Sequence, residues 1–191
     1  MKSFVTILCA ASIVAASPLD LKNVLGGKYH DKGDSPFTFT STYKVHAKPS
    51  EVVDAQNKAT GGLSGSEGTF LFGINSHENV ICYNVTLRGF RGEYQSPAKT
   101  ATHIHQGARG TSGPPRIAFP NPEETGPDTR SSIGCLRGPF TTGIKDAAGK
   151  DTGEGFHVKQ IEMAPEMFFS DVHSSLAVPG AVRGQLANKQ C

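Results

Sequence analysis

Glycine and proline divide this chain into short segments, and that division most restricts what it can fold into. The sequence contains 22 Gly and 12 Pro, residues that favour turns and interrupt helices. Between them lie short runs rich in β-branched and aromatic residues, whereas a long amphipathic helix is absent. Many short strands separated by turns predict an all-β fold, either a β-sandwich or a β-barrel.

Residues 69–74 and 80–87 are separated by a polar turn and are predicted to pair as a β-hairpin. In the second strand, Tyr83, Val85 and Leu87 share one face, because successive side chains alternate. Asn84 lies on the opposite face and begins the sequon Asn84-Val85-Thr86. We therefore expect Asn84 to be solvent-facing and glycosylated.

Residues 113–129 are rich in Pro and Gly, and we predict that they form one long loop with at most a brief strand at 116–119. A loop of this length is uncommon in a compact domain and is often functional. Residues 135–144 contain two Gly and a Pro and are predicted to form an irregular edge.

The N-terminus carries the pattern of a secretory signal. Lys2 precedes a short apolar run, and Val14 and Ala16 are small enough for the cleavage site. We predict a signal peptide over residues 1–16, with cleavage after Ser17 as the alternative, and a secreted protein. Residues 17–36 are then an extended arm, 37–187 a single domain and 188–191 a C-terminal tail.

Three cysteines follow the predicted signal, namely Cys82, Cys135 and Cys191. An extracellular compartment favours disulfides, and three cysteines allow one bridge and one leftover thiol. Because Cys82 and Cys135 both adjoin strand-like segments, we expect them to pair. A Cys135–Cys191 bridge is the alternative.

Several functional classes lack their sequence signals. The formal net charge is +2, and the Lys and Arg residues are scattered, unlike a nucleic-acid-binding surface. Neither a Gly-x-Ser-x-Gly elbow nor a phosphate-binding Gly-rich motif is present. No run after the predicted signal has the length and apolarity of a transmembrane helix.

The sharpest chemical feature is the strand pair His103-Ile104-His105. Alternate strand residues point to the same side, so the two imidazoles can reach one metal ion. His173 is a third candidate ligand, and imidazole nitrogen suits copper(II) or zinc. The alternative is that these histidines are hydrogen-bonded residues of the core or an interface. A metal site requires the imidazole nitrogens to lie within about 4–5 Å of one another.

These histidines belong to three sequence blocks that resemble the hallmarks of the CHRD domain. The blocks are A-T-H-I-H-Q-G at 101–107, F-F-S-D-V-H at 168–173 and P-G-A-V-R-G-Q-L at 179–186. The resemblance spans about residues 37–186, and the single domain is similar to the secreted members found in fungi. It implies an immunoglobulin-like or superoxide dismutase-like β-fold without assigning an activity.

The resemblance to copper/zinc superoxide dismutases implies roles for particular residues. His103, His105 and His173 match the copper ligands, and Arg183 matches the Arg that guides the anion. The alternative for Arg183 is a structural role, in which its guanidinium donates to buried carbonyls or carboxylates. Independently of the resemblance, strand alternation places Asp171 on the same face as His173, where it would orient it or ligate the metal; a solvated edge residue or hydrogen-bond partner is the alternative. No His lies between His105 and Cys135, so a dismutase-type zinc site is not expected. His157 is a further candidate ligand.

Two functional hypotheses follow from these patterns. The first is a secreted, non-catalytic binding or structural module of an extracellular wall or matrix, with an unidentified partner. The second is a copper-binding protein similar to a copper-only superoxide dismutase, in which an open coordination position permits redox chemistry. The second hypothesis requires the three histidines to converge, whereas the first allows them to be dispersed, or hydrogen-bonded to Asp171 and the backbone.

Overall fold

The computed structural model describes residues 37–187, which form two antiparallel sheets in the predicted all-β sandwich. The first sheet has the strand order β1-β2-β3-β7-β6, and the second has the order β5-β4-β8-β9. The strands are β1 Ser41–Ala47, β2 Glu67–Asn75, β3 Val80–Arg88, β4 Thr102–Gln106, β5 Pro115–Phe119, β6 Glu123–Gly126, β7 Thr129–Arg137, β8 Phe168–Ser174 and β9 Ala177–Gln185. One short helix, α1, spans Lys159–Met163, and 3-10 turns span Pro49–Glu51 and Pro165–Met167.

The hairpin predicted from residues 69–74 and 80–87 is formed by β2 and β3, which pair from Glu67↔Arg88 to Asn75↔Val80. Alternation along β3 buries one face and leaves the other partly exposed. The buried faces of the two sheets meet in a core that contains Phe70, Phe72, Ile81, Tyr83, Val85, Leu87, Ile104, Ile117, Phe119, Phe168 and Val172.

The brief strand predicted at 116–119 is confirmed as β5, but the prediction that the rest of residues 113–129 forms one long loop is wrong. Most of this segment forms β5, which pairs with β4 in the second sheet, and β6, which pairs with β7 in the first. Both strands lie at sheet edges, and a proline is tolerated in an edge strand or as the first residue of a strand. Pro115 can therefore begin β5 although the composition of the segment is typical of a loop.

The irregular edge predicted at 135–144 is also wrong in its first part. Residues 129–137 form β7, an interior strand that pairs with β3 on one side and β6 on the other. Cys135 lies directly opposite Cys82, and the two form a disulfide. The predicted signal, arm and tail, including the alternative partner Cys191, lie outside the described residues.

The two sheets approach each other closely where β1 meets β9. Lys48 and Arg183 form a bridge through mutual backbone hydrogen bonds of 2.8 and 3.1 Å. A Cβ atom at Gly184 would lie 2.6 Å from both the His46 carbonyl oxygen and the Val45 Cγ1 atom. Only glycine therefore permits this approach without a shift of the β1 backbone.

None of the helices within residues 37–187 is long and apolar enough to cross a membrane.

Candidate metal centre

Two neighbouring interior strands of the second sheet carry the candidate ligands. The register of β4 and β8 pairs His103 with Asp171, so their side chains lie on the same face. His105 and His173 follow at two-residue spacing and share that face. Because Ile104 and Val172 point into the core, the four polar side chains occupy the opposite face of the sheet.

This face is nevertheless largely shielded from solvent. His103, Asp171 and His105 have relative exposures of only 1%, 4% and 9%. Residues 52–55 and 112–113 line a pocket that opens above His105, Asp171 and His173. The cluster is thus buried beneath loops but can be reached from one side.

The four side chains converge on one point. Each offers a ligand atom, and all four atoms lie within 4.8 Å of one another. Asp171 is the shared neighbour, since its Oδ1 atom is 3.5 Å from His103 Nδ1 and 3.2 Å from His105 Nε2. Its Oδ2 atom lies 3.2 Å from His173 Nε2.

The second nitrogen of each imidazole points away from the cluster and meets a backbone carbonyl. His103 Nε2 lies 2.7 Å from the Thr100 oxygen, and His105 Nδ1 lies 2.8 Å from the Gly113 oxygen. His173 Nδ1 lies 2.9 Å from the Val178 oxygen. Carbonyls only accept hydrogen bonds, so these outer nitrogens carry the protons, and the inner nitrogens of neutral rings present lone pairs. Protein metal sites orient their histidines in this way.

Several inner atoms have no hydrogen-bond partner within the described part of the chain. These are His103 Nδ1, His105 Nε2 and Asp171 Oδ1, all of them buried. Buried polar atoms are normally satisfied, because leaving one unpaired costs about 1–3 kcal/mol. Three unsatisfied electron-pair donors around one point fit a divalent transition-metal ion.

The electrostatics reflect a carboxylate surrounded by imidazoles. Burial acts to raise the pKa of Asp171, but attraction to His105 and His173 outweighs it and holds that pKa well below its ordinary value. Burial acts to lower the pKa of His173, but the Asp171 charge and hydrogen bonding raise it to about 9. For His103 burial dominates, and its pKa lies below the ordinary value.

Arg183 lies in the same cross-strand row, opposite Asp171 on β9. It is only 4% exposed, and its guanidinium carbon lies 3.4 Å from the centroid of the Phe169 ring. Its Nη2 donates to the Ala108 carbonyl at 3.1 Å. Arg183 therefore lines the pocket beside the cluster while supporting the 107–113 loop. His157 is not among the four clustered residues.

A comparison with protein-family models matches residues 45–186 to the CHRD domain. The chain belongs to the CHRD-domain family. This match includes all three histidines, Asp171 and Arg183. At the family level it supports a non-catalytic domain of the kind that occurs in extracellular proteins, which agrees with the presence of a disulfide. No curated protein and no solved structure matches the chain.

Some features of this CHRD-domain site had no signal in the sequence. Thr100, Gly113 and Val178 contribute backbone carbonyls, which every residue type possesses, so no motif could identify them. Phe169 stacks on the His105 ring with a centroid separation of 5.0 Å. Its position beside the histidines follows from the β4–β8 register, which pairs His105 with Phe169.

Proposed function

We propose that this protein is a secreted, non-catalytic CHRD-domain module in which one divalent transition-metal ion is held by His103, His105, Asp171 and His173. The observation that carries the proposal is the convergence of these four ligand atoms within 4.8 Å. Outward hydrogen bonds from all three imidazoles support it, because they turn the inner nitrogens towards one point, where a metal ion can displace the inner proton of His173.

The donor set favours copper(II) or zinc. Three imidazole nitrogens and one carboxylate oxygen suit either ion, whereas calcium and magnesium require mostly oxygen ligands. Four protein donors are typical of closed structural zinc sites, whereas catalytic sites keep a position for water or substrate. The carboxylate of Asp171 supplies a fourth donor, so the arrangement favours metal binding over dismutase-like redox chemistry.

A metal held here would join elements that are distant in sequence. It would link β4 to β8, and through the outer hydrogen bonds it would fix Thr100, Gly113 and Val178. The pocket beside Arg183 supplies an entry path. The expected contribution of the ion is therefore to the stability and rigidity of this face, which would serve a binding or structural role.

An extracellular location is part of the proposal. The signal-like pattern of residues 1–16, the Cys82–Cys135 disulfide and the sequon at Asn84 all support secretion. A wall or matrix is the proposed setting, with a partner whose chemistry is not specified. Sequencing the N-terminus of the chain recovered from the medium tests the leader directly, since Ser17 should come first.

The decisive experiment measures metal content. The secreted chain is stripped with a chelator, incubated separately with copper(II) and zinc, dialysed and analysed by elemental mass spectrometry. We expect one tightly held ion per chain and, for copper, nitrogen hyperfine lines in the electron paramagnetic resonance spectrum. The preferred ion is identified by competition between the two.

Two variants complete the test. His103→Ala/His105→Ala removes two nitrogen donors and should abolish retention and the hyperfine lines. His77→Ala removes an exposed imidazole from the β2–β3 turn and should leave both unchanged. No retained metal in the wild-type chain, or equal retention by the double variant, would refute the proposed site.

A further inference from the structure

The outer face of the first sheet carries two apolar side chains on either side of a polar one. Leu71 on β2 and Ile133 on β7 lie on either side of Asn84, as the registers Leu71↔Asn84 and Asn84↔Ile133 specify. We call these three residues the outer strip. Ile133 is 65% exposed although it lies in an interior strand, where a polar residue is the norm for a solvent-facing position.

Apolar groups continue on one side of the outer strip. The Cys82–Cys135 disulfide lies on the same face, two residues further along β3 and β7 from Asn84 and Ile133. It joins the two strands, and Cys135 is exposed. The Phe39 ring covers Gly73, where a Cβ atom would lie 2.5 Å from that ring. Exposed apolar groups that adjoin one another in this way are a common place of contact with another group.

Asn84 is the polar member of the outer strip, and it begins the sequon. Its side chain is partly exposed and makes no hydrogen bond within residues 37–187. Thr86 lies on the same face of β3, so the Asn84 and Thr86 side chains of the sequon both point outward while Val85 is buried. A sugar attached at Asn84 would therefore leave the sheet between Leu71 and Ile133.

We propose that an N-linked glycan on Asn84 lies over the outer strip and shields the Cys82–Cys135 disulfide from solvent. Sugar rings present apolar C–H faces that can pack on Leu71 and Ile133, while their hydroxyls remain hydrated. The inference rests on the secretion included in the proposed function, because the modification occurs in the secretory pathway.

The covalent step requires a lipid-pyrophosphate-linked oligosaccharide as donor. The Asn84 amide nitrogen forms a bond to C1 of the first sugar as the bond from C1 to the pyrophosphate oxygen breaks. The amide loses one proton, the lipid pyrophosphate is the leaving group, and nothing is oxidised or reduced. Attachment to the unfolded chain precedes pairing of β3 with its neighbours.

The test compares full-length chains expressed in a eukaryotic secretory host. Wild type and Thr86→Ser keep the sequon, whereas Asn84→Gln and Thr86→Ala destroy it in two different ways. Peptide mass spectrometry should find a glycan at Asn84 in the first pair alone. The unglycosylated pair should bind more of a hydrophobic dye and lose the disulfide several-fold faster to a thiol reductant under native conditions.

Ile133→Thr identifies the surface involved. Introduced into Asn84→Gln, it should lower dye binding towards the glycosylated level, because it removes the exposed apolar side chain. Equal dye binding and equal reduction rates with and without sugar would overturn the shielding role. If the wild-type chain is secreted without a sugar, the proposed modification is wrong but the proposed secretion stands. If the wild-type chain stays in the cell without a sugar, both proposals are wrong.

Discussion

Replacing Asp171 with Asn tests whether the carboxylate holds the metal. The substitution preserves the volume of the side chain but removes the charge that faces all three imidazoles. Losing a residue that merely orients a metal ligand costs about 10–100-fold in affinity. Losing a charged ligand should therefore weaken binding by at least about 100-fold.

The expected change in stability follows from mass action. With free metal at about 100 times the wild-type Kd, binding stabilises the wild-type domain by about 2.7 kcal/mol. At the same concentration a variant that binds 100-fold more weakly gains only about 0.4 kcal/mol. For a domain of about 150 residues, the difference corresponds to about 5–9 °C in Tm.

Thermal unfolding of metal-free and metal-loaded protein provides the assay. Only the shift caused by metal is compared between variants, so any change in the metal-free stability of Asp171→Asn cancels. His77→Ala should show the full wild-type shift. An equal shift in Asp171→Asn and wild type would refute the role of the carboxylate, and the cluster would then bind metal through its imidazoles alone.

Three further predictions concern the stability of the domain. Gly184→Ala should lower the free energy of unfolding by about 1–3 kcal/mol, because the added methyl group overpacks against β1. The control Gly126→Ala has no atom near its Cβ position and should change the free energy of unfolding by less than about 0.5 kcal/mol. Urea denaturation measures both effects, and equal effects would contradict the packing argument. Cys82→Ala/Cys135→Ala should cost about 4 kcal/mol, because the bridge spans a sequence separation of 53 residues, and a midpoint unchanged in urea would contradict this. Burial acts to raise the pKa of Asp151, but hydrogen bonds from backbone N–H groups outweigh it and lower that pKa. The ionised carboxylate thus stabilises the fold above the unfolded-state pKa, and this contribution is lost as pH falls through the folded-state pKa. Urea titrations at several pH values should show that the free energy of unfolding falls less steeply with acid in Asp151→Asn than in wild type. An identical pH dependence would refute the assignment.

Local patterns in the sequence were sufficient for the hairpin of β2 and β3. Alternation of apolar and polar residues reports which face is buried, and both strands lie next to each other in the chain. Residues 113–129 show the limit of this reasoning. Their Pro and Gly content predicts a loop, yet edge positions tolerate such residues, and a strand's position within its sheet is not encoded locally.

The candidate site was likewise predictable only in part from the sequence. Strand spacing placed His103 and His105 on one face and Asp171 on the same face as His173, whereas the resemblance suggested that the three histidines bind one metal and that Arg183 lies nearby. The position of Asp171 next to all three histidines depends on the β4–β8 register. The role of Arg183 beneath the 107–113 loop depends on the packing of that loop.

The sequence by itself therefore determined the class of fold, the CHRD-domain resemblance and the residues that could bind a metal. Periodicity, turn residues and short motifs are local properties of the chain, and they can be read without knowing what lies opposite. Only the tertiary structure decided that four donors from two strands share one centre and that backbone carbonyls orient the three imidazoles. Those relations join residues far apart in sequence, and they exist only once strand register and loop packing bring the groups together.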